Sequence, residues 1–123
     1  LNLGSSIEFT GGVSFEQVLN CYRDSDVLVL ASQTESWGKS ITEAMAFGLV
    51  CIGSKRGLMP WMLGEGRGYV VEPRDESALQ SALVEIVSDP DRYRRVSRRA
   101  AAWSQQYSLD DMNVQLRRCL EGT

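Results

Sequence analysis

Two continuous apolar runs stand out along the chain, Asp26-Val27-Leu28-Val29-Leu30-Ala31 and Leu49-Val50-Cys51-Ile52-Gly53. Runs of this length with few polar interruptions predict strands buried on both faces, as in a parallel sheet. Between them, Lys39 to Phe47 is long enough for a short helix, and Gly48 suits the left-handed residue that ends one. Upstream, Ser5 to Thr10 reads as a turn entering a short strand at Ile7 to Phe9, with Gly11-Gly12 at its tip. Ser14-Phe15-Glu16-Gln17 is a capping-box pattern, which predicts a helix from Phe15 to about Arg23 with Val18, Leu19 and Tyr22 on its apolar stripe.

Downstream, Ser54-Lys55-Arg56-Gly57 forms a basic turn, and Leu58 to Leu63 is unusually apolar for a loop. That segment reads as a packed helical turn, or else as a surface for an acceptor or a partner domain. Gly64, Gly66 and Gly68 are poor helix material and lead into a strand at Tyr69 to Val71. Asp75 is an N-cap for a helix over Glu76 to Ser88, with Leu79, Leu83, Ile86 and Val87 as its packing face. Pro90 suits the first turn of a helix over Asp91 to Tyr107, where Tyr93, Val96, Ala100, Trp103 and Tyr107 share one face. Ser108 to Asp111 restarts a helix through Leu120, with Met112, Leu116 and Leu120 inward. Strands alternating with helices make this an α/β chain, a Rossmann-like parallel sheet with flanking helices.

A length of 123 residues fits a single domain spanning 1–123, whose C-terminal helices occupy about 75–120. A net charge of −3 gives no reason to expect nucleic acid as a partner. No apolar run is long enough to cross a membrane and no signal peptide is visible, so the expected setting is cytoplasmic. The leading leucine suggests a trimmed chain. Cys21, Cys51 and Cys119 are odd in number and widely spaced, which predicts reduced, mostly packed thiols rather than a disulfide frame or a zinc site. The chain has no histidine, which excludes a His-based triad, proton shuttle or metal site within it. Arg92, Arg94, Arg95, Arg98 and Arg99 form a basic cluster on one helix, either a solvated or partner-facing surface or a peripheral contact with anionic lipid.

The candidate chemistry lies in the loop between the first apolar run and the helix at Lys39. In doubly wound sheets, ligands bind at the carboxyl ends of strands, and the amides at a helix start can hold an anion. Glu43 lies about one turn into that helix, so its side chain leans back towards the N-terminal end. Glu35 leaves the strand tip earlier, on the other side of the loop. Carboxylates only accept hydrogen bonds, so the pair suits hydroxyl-rich partners such as ribose and hexose, with phosphates served by amides near Gly38, Lys39 and Ser40. The plainer alternative is a solvated loop glutamate and a helix residue that favours the first turn.

Glu35, seven intervening residues and Glu43, followed by Ala44-Met45-Ala46-Phe47-Gly48, resembles the E-x7-E segment of retaining GT-B glycosyltransferases, above all family 4. Ile7-Glu8-Phe9-Thr10-Gly11-Gly12-Val13, the segment Tyr22 to Ser32, and Gly68-Tyr69-Val70-Val71-Glu72-Pro73 are similar to other motifs of that family, in order. The chain departs from the family pattern at Ser36, which replaces a glycine, and at Leu49, which replaces a common proline. Trp61 stands where the family often carries a glutamate after Pro60.

The resemblance implies the C-terminal, donor-binding part of an enzyme that moves a sugar from a UDP-, GDP- or ADP-sugar to an acceptor with retention. It assigns Glu35 to hydroxyls of the transferred sugar as the catalytic position, and Glu43 to the ribose. Gly11 and Gly12 would lie near the base, and Trp37, Gly38, Lys39 and Ser40 would face the sugar and diphosphate. It implies no cofactor and no metal, charge on the leaving group being met by fixed donors. It also implies parts not found in this chain: an N-terminal acceptor domain, and two strand–helix units carrying an arginine and a lysine that clamp the diphosphate. Lys39, Lys55 and Arg56 match neither clamp position, so the chain alone is expected to be inactive. The family strand order 3-2-1-4-5-6 would leave an exposed apolar edge here, a site for self-association. Either the Ile7 to Phe9 strand moves into the vacated place or another chain fills it. Two further readings stay open: a non-catalytic interaction or pseudo-enzyme module of the same fold, and a GT-B sugar-nucleotide epimerase.

Overall fold

The computed structural model describes residues 4–31, 39–106, 114, 117, 118 and 120–122. Up to residue 106, the described residues form α1 (Phe15–Asp24), β1 (Val27–Leu30), α2 (Lys39–Ala46), β2 (Val50–Ser54), α3 (Met59–Met62), β3 (Tyr69–Val71), α4 (Glu76–Ser88) and α5 (Pro90–Gln106), in that order. The strands form a parallel sheet in the order β1-β2-β3, with Val27 opposite Val50 and Ile52 opposite Tyr69.

Period-two alternation sorts the central strand's side chains between two cores. Cys51 packs with Ile41, Met45, Leu58, Met59, Met62 and Trp103 on the face covered by α2 and α3. Val50 and Ile52 pack with Val71, Ala82, Ile86 and Val96 on the face covered by α4 and the first half of α5. Every residue of β2 is buried. At about 1.5–3 kcal/mol per fully buried large apolar side chain, this strand and its two layers are the main source of cohesion.

Local signals set the helix ends. The Ser14 hydroxyl accepts from the Gln17 amide at 3.2 Å, and the Gln17 side chain accepts from the Ser14 amide at 2.8 Å, closing the capping box. Gly48, at φ +80°, ends α2: its amide donates to Met45, and the Leu49 amide donates to Ala44. These paired bonds are the Schellman pattern, and buried Leu49 is its apolar anchor. Asp75 caps α4 through the Ala78 amide at 2.9 Å.

Five expectations change. Ile7 to Phe9 is not a strand and does not fill the place beside β1; Ile7 is half exposed and Phe9 is 95% exposed. Three residues ending at two glycines offer too few ladder bonds to offset their ordering. β1 is therefore the edge of the described sheet and is not buried on both faces, with Val29 40% exposed. In α4 the packing face is Ala78, Leu79, Ala82 and Ile86, while Leu83 and Val87 point outward. Two alanines on the inner side let the helix approach closely, which turns the bulkier pair away. Leu120 is exposed rather than inward; Tyr107, Met112 and Leu116 lie outside the described residues. Cys51 is packed as expected but Cys21 is exposed, because it sits on the polar side of α1; Cys119 lies outside the described residues.

Candidate functional site at the carboxyl rim of the sheet

Parallel pairing puts the ends of all three strands on one rim, where Ala31, Lys55 and Glu72 leave β1, β2 and β3. The helix that follows β1 begins with Lys39 and Ser40, both exposed. One turn further, Glu43 is partly buried, and its Oε2 accepts a hydrogen bond from the Tyr22 hydroxyl at 2.9 Å. Tyr22 comes from the last turn of α1 and is buried, with its ring 5.7 Å from that of Phe47. Burial, and then the bond to Glu43, push the phenol's pKa up, and the nearby Ser40 side chain opposes that rise. The two helices that flank β1 in the chain thus meet at one carboxylate near the start of α2.

Of the residues singled out from the sequence, Lys39, Ser40 and Glu43 are brought together on α2. Gly11, at φ +66°, and Gly12 are exposed, and among the described residues nothing stands within 4 Å of where a Cβ would be, so the turn is open to a flat ligand. Glu35, Trp37 and Gly38 lie outside the described residues. Among the described residues, no cluster of three His, Cys, Asp or Glu side chains is placed to hold a metal.

Sequence reasoning missed three contributors. Tyr22 was placed on the packing stripe of α1, but its hydroxyl reaches Glu43, and nothing in an apolar period marks that second role. Arg67, almost fully buried, donates to the carbonyls of Met62 at 2.9 Å and Trp61 at 2.5 Å, and pairs with Glu65 at 3.0 Å. Its guanidinium lies 5.0 Å from the Trp103 ring centroid. Trp61 meets Trp103 edge-on, centroids 5.0 Å apart, so the residue standing where the family often has a glutamate is part of a packed helical turn. Third, a cleft of about 220 Å³ opens on the same rim between Ala31, Val71 and the start of α4. Lys55 and Glu72 lie 3.7 Å apart at the strand ends, both largely exposed. In the arginine cluster, Arg92 is paired with Glu85 and Arg94 with Asp91.

A sheet of parallel strands flanked by helices, with a carboxylate one turn into the helix that follows β1, has the layout of doubly wound α/β domains, which bind ligands at the carboxyl rim. Residues 1–103 match the model of the family described as glycosyl transferases group 1, and the chain belongs to that family. The D-inositol 3-phosphate glycosyltransferase of Streptomyces scabiei is 30% identical over 111 residues, 89% of this chain and 25% of its own length. The N-acetyl-alpha-D-glucosaminyl L-malate synthase of Bacillus anthracis is 34% identical over 77 residues, 62% of this chain and 20% of that protein. The chain thus spans about a quarter of the length of these relatives.

Sucrose-phosphate synthase from Thermosynechococcus elongatus superposes on 98% of the chain with a TM-score of 0.81 and 28% identity, using 31% of its own chain. The C-terminal domain of a group 1 glycosyl transferase, LpcC of Francisella tularensis, covers 81% of this chain and 51% of its own, with a TM-score of 0.71 and 26% identity. Anabaena HepE, solved with UDP-glucose, shares the fold over the whole chain at a TM-score of 0.81 and 21% identity, with 34% of its own chain matched. The chain corresponds to the C-terminal, Rossmann-like part of GT-B glycosyltransferases, as the motif order implied. No described helix is long and apolar enough to cross a membrane.

Proposed function

We propose that residues 1–123 form one nucleotide-sugar-binding unit of a cytoplasmic glycosyltransferase that transfers a hexose to an acceptor with retention. The observation that carries the reading is the Glu43 carboxylate at the mouth of α2, held by Tyr22 on the rim where such sheets bind ligands. Glu43 accepts from the ribose hydroxyls of the donor. Glu35 accepts from hydroxyls of the sugar being transferred, and the backbone around Trp37, Gly38, Lys39 and Ser40 faces the sugar and diphosphate. The open turn at Gly11 and Gly12 receives the base. Fixed amide donors stabilise charge on the departing diphosphate and so lower the barrier. Family membership supports sugar transfer, and a fold shared with a protein solved with UDP-glucose supports a nucleotide-sugar donor. The acceptor domain and the basic diphosphate clamp belong to further chain, so this unit binds donor without turning it over. The exposed edge of β1 is where upstream strands, or a second copy, pair with it.

Calorimetric titration with UDP-, GDP- and ADP-sugars tests the reading. Weak binding of one nucleotide sugar, lost in Glu43→Ala, is the expected result and names the base. Equal binding by the wild-type chain and Glu43→Ala would remove Glu43 from the donor site.

A further inference from the structure

We infer that Tyr22 is a positioning residue for donor binding: its buried hydroxyl orients the Glu43 carboxylate towards the ribose. The inference rests on the proposed role of Glu43 and adds a residue to it. A glutamate on a helix surface has three side-chain torsions, and fixing them on binding costs up to about 2 kcal/mol. Here that ordering is already in place, because the Tyr22 hydroxyl holds Oε2 at 2.9 Å. The phenol itself has little freedom: it is 6% exposed, and its ring packs beside Phe47.

The bond occupies one lone pair of Oε2. Among the described residues no other bond to this carboxylate is formed, which leaves the second lone pair of Oε2 and both lone pairs of Oε1 to accept from a vicinal diol. Ser40, at the start of the same helix, is close enough to the phenol to oppose the rise in its pKa, so Ser40, Tyr22 and Glu43 converge at one place. The geometry also spans the site. Tyr22 lies near the end of the ten-residue helix α1, which begins directly after the turn at Gly11 to Val13. A shift of α1 therefore moves the base-side turn and the ribose carboxylate together.

A purely structural role would predict that the Tyr22–Glu43 bond ties α1 to α2 and nothing more. The test separates the two by the ligand's own hydroxyls. The chain is titrated with UDP, GDP and ADP, and then with the 2′,3′-dideoxy form of whichever binds, comparing wild type, Tyr22→Phe, Ser40→Ala and Glu43→Ala. Tyr22→Phe keeps the ring and removes only the hydroxyl.

Tyr22→Phe is expected to weaken the ribonucleotide roughly tenfold, the scale of one hydrogen bond to a charged group, and to leave the dideoxy form unchanged. Ser40→Ala, at an exposed position, is expected to give a smaller loss with the same dependence on ribose hydroxyls, and it carries the test if Tyr22→Phe does not fold. Equal weakening of both ligand forms, or no change with either, would overturn the positioning role. Unchanged ribonucleotide binding in Glu43→Ala would instead overturn the role of Glu43, and absence of binding by all three nucleotides at millimolar concentration would overturn both.

Discussion

The Tyr93 hydroxyl on α5 donates to the carbonyl of Asp26, 67 residues earlier, at 2.8 Å. That carbonyl also accepts from the Val50 amide at 3.1 Å, so one oxygen at the entry to β1 joins the central strand and the last described helix. Farther along α5, Ser97 donates to the Gly48 carbonyl at 2.5 Å, just before β2. The C-terminal helix is thus tied to the amino end of the sheet, opposite the rim that carries Glu43. Tyr93→Phe keeps the ring and removes one neutral bond while Val50 still satisfies the carbonyl. The expected cost lies at the low end of about 0.5–1.5 kcal/mol, read as a lower urea midpoint with an unchanged slope. An unchanged midpoint would show that the bond is exchanged for water without loss.

Two glycines separate conformational cost from steric cost. A Cβ on Gly68 would stand 2.7 Å from Leu63 Cδ2 and 2.9 Å from the Cys51 carbonyl oxygen, which the sheet holds in place. A Cβ on Gly11 would meet none of the described residues within 4 Å, but its φ of +66° disfavours any side chain. Gly11→Ala is expected to cost about 1–2 kcal/mol in the folded chain or simply to relax the exposed turn. Gly68→Ala must displace the entry to β3, and is expected to exceed the usual cost of about 1–3 kcal/mol for overpacking. Paired thermal melts check the order, and a larger loss for Gly11→Ala would contradict it.

Much of this architecture is legible in the chain, because its strongest signals are local and redundant. The capping box at Ser14 and Gln17, the glycine end at Gly48 and the cap at Asp75 each set an element boundary by backbone chemistry alone. The E-x7-E spacing, with flanking motifs in order, led to the family that the comparisons show. What could not be read depends on neighbours. Whether Ile7 to Phe9 pairs, and whether Val29 is covered, depends on what lies beside the edge strand β1, which no residue in those segments encodes. The inner face of α4 turned on two alanines that the apolar period counts as weaker than Leu83 and Val87. The Tyr22–Glu43 bond needed two helices to be placed side by side, so an apolar stripe could contain Tyr22 without revealing what its hydroxyl does.

Arg67 carries more of the α3 region than its place in a glycine-rich loop suggests. Its guanidinium serves the Met62 and Trp61 carbonyls, pairs with Glu65 and lies over Trp103. Lysine cannot reproduce this planar fork, so Arg67→Lys should not behave as a conservative change. Arg67→Met would leave two carbonyls without their donor, at about 1–3 kcal/mol for each that stays buried. Both variants are expected to lower the urea midpoint and weaken the near-UV signal of the edge-on Trp61–Trp103 pair. A loss of stability with the aromatic signal intact would place the effect elsewhere.

Cys51 makes the chain sensitive to alkali. Burial pushes its thiol from an ordinary value of 9.0 up to about 12, and Tyr22, Tyr69 and Tyr93 are also raised, chiefly by burial. A folded-state pKa above the unfolded one means that the folded chain holds more protons between the two values. The stabilisation is complete below the unfolded pKa of about 9 and is lost as pH rises towards 12, at a limiting slope of roughly 1.4 kcal/mol per pH unit for one group. Urea midpoints are therefore expected to be level from pH 7 to about 8.5 and to fall steadily above it. The same burial protects the thiol. At pH 8 a soluble alkylating reagent should label exposed Cys21 quickly and Cys51 only at the rate of unfolding, as peptide mass mapping would resolve. Cys51→Ala should make the alkaline fall shallower, most clearly just above pH 9, where the thiol leads and the tyrosines, with ordinary values of 10.0, contribute less. An unchanged profile would assign the loss to another group.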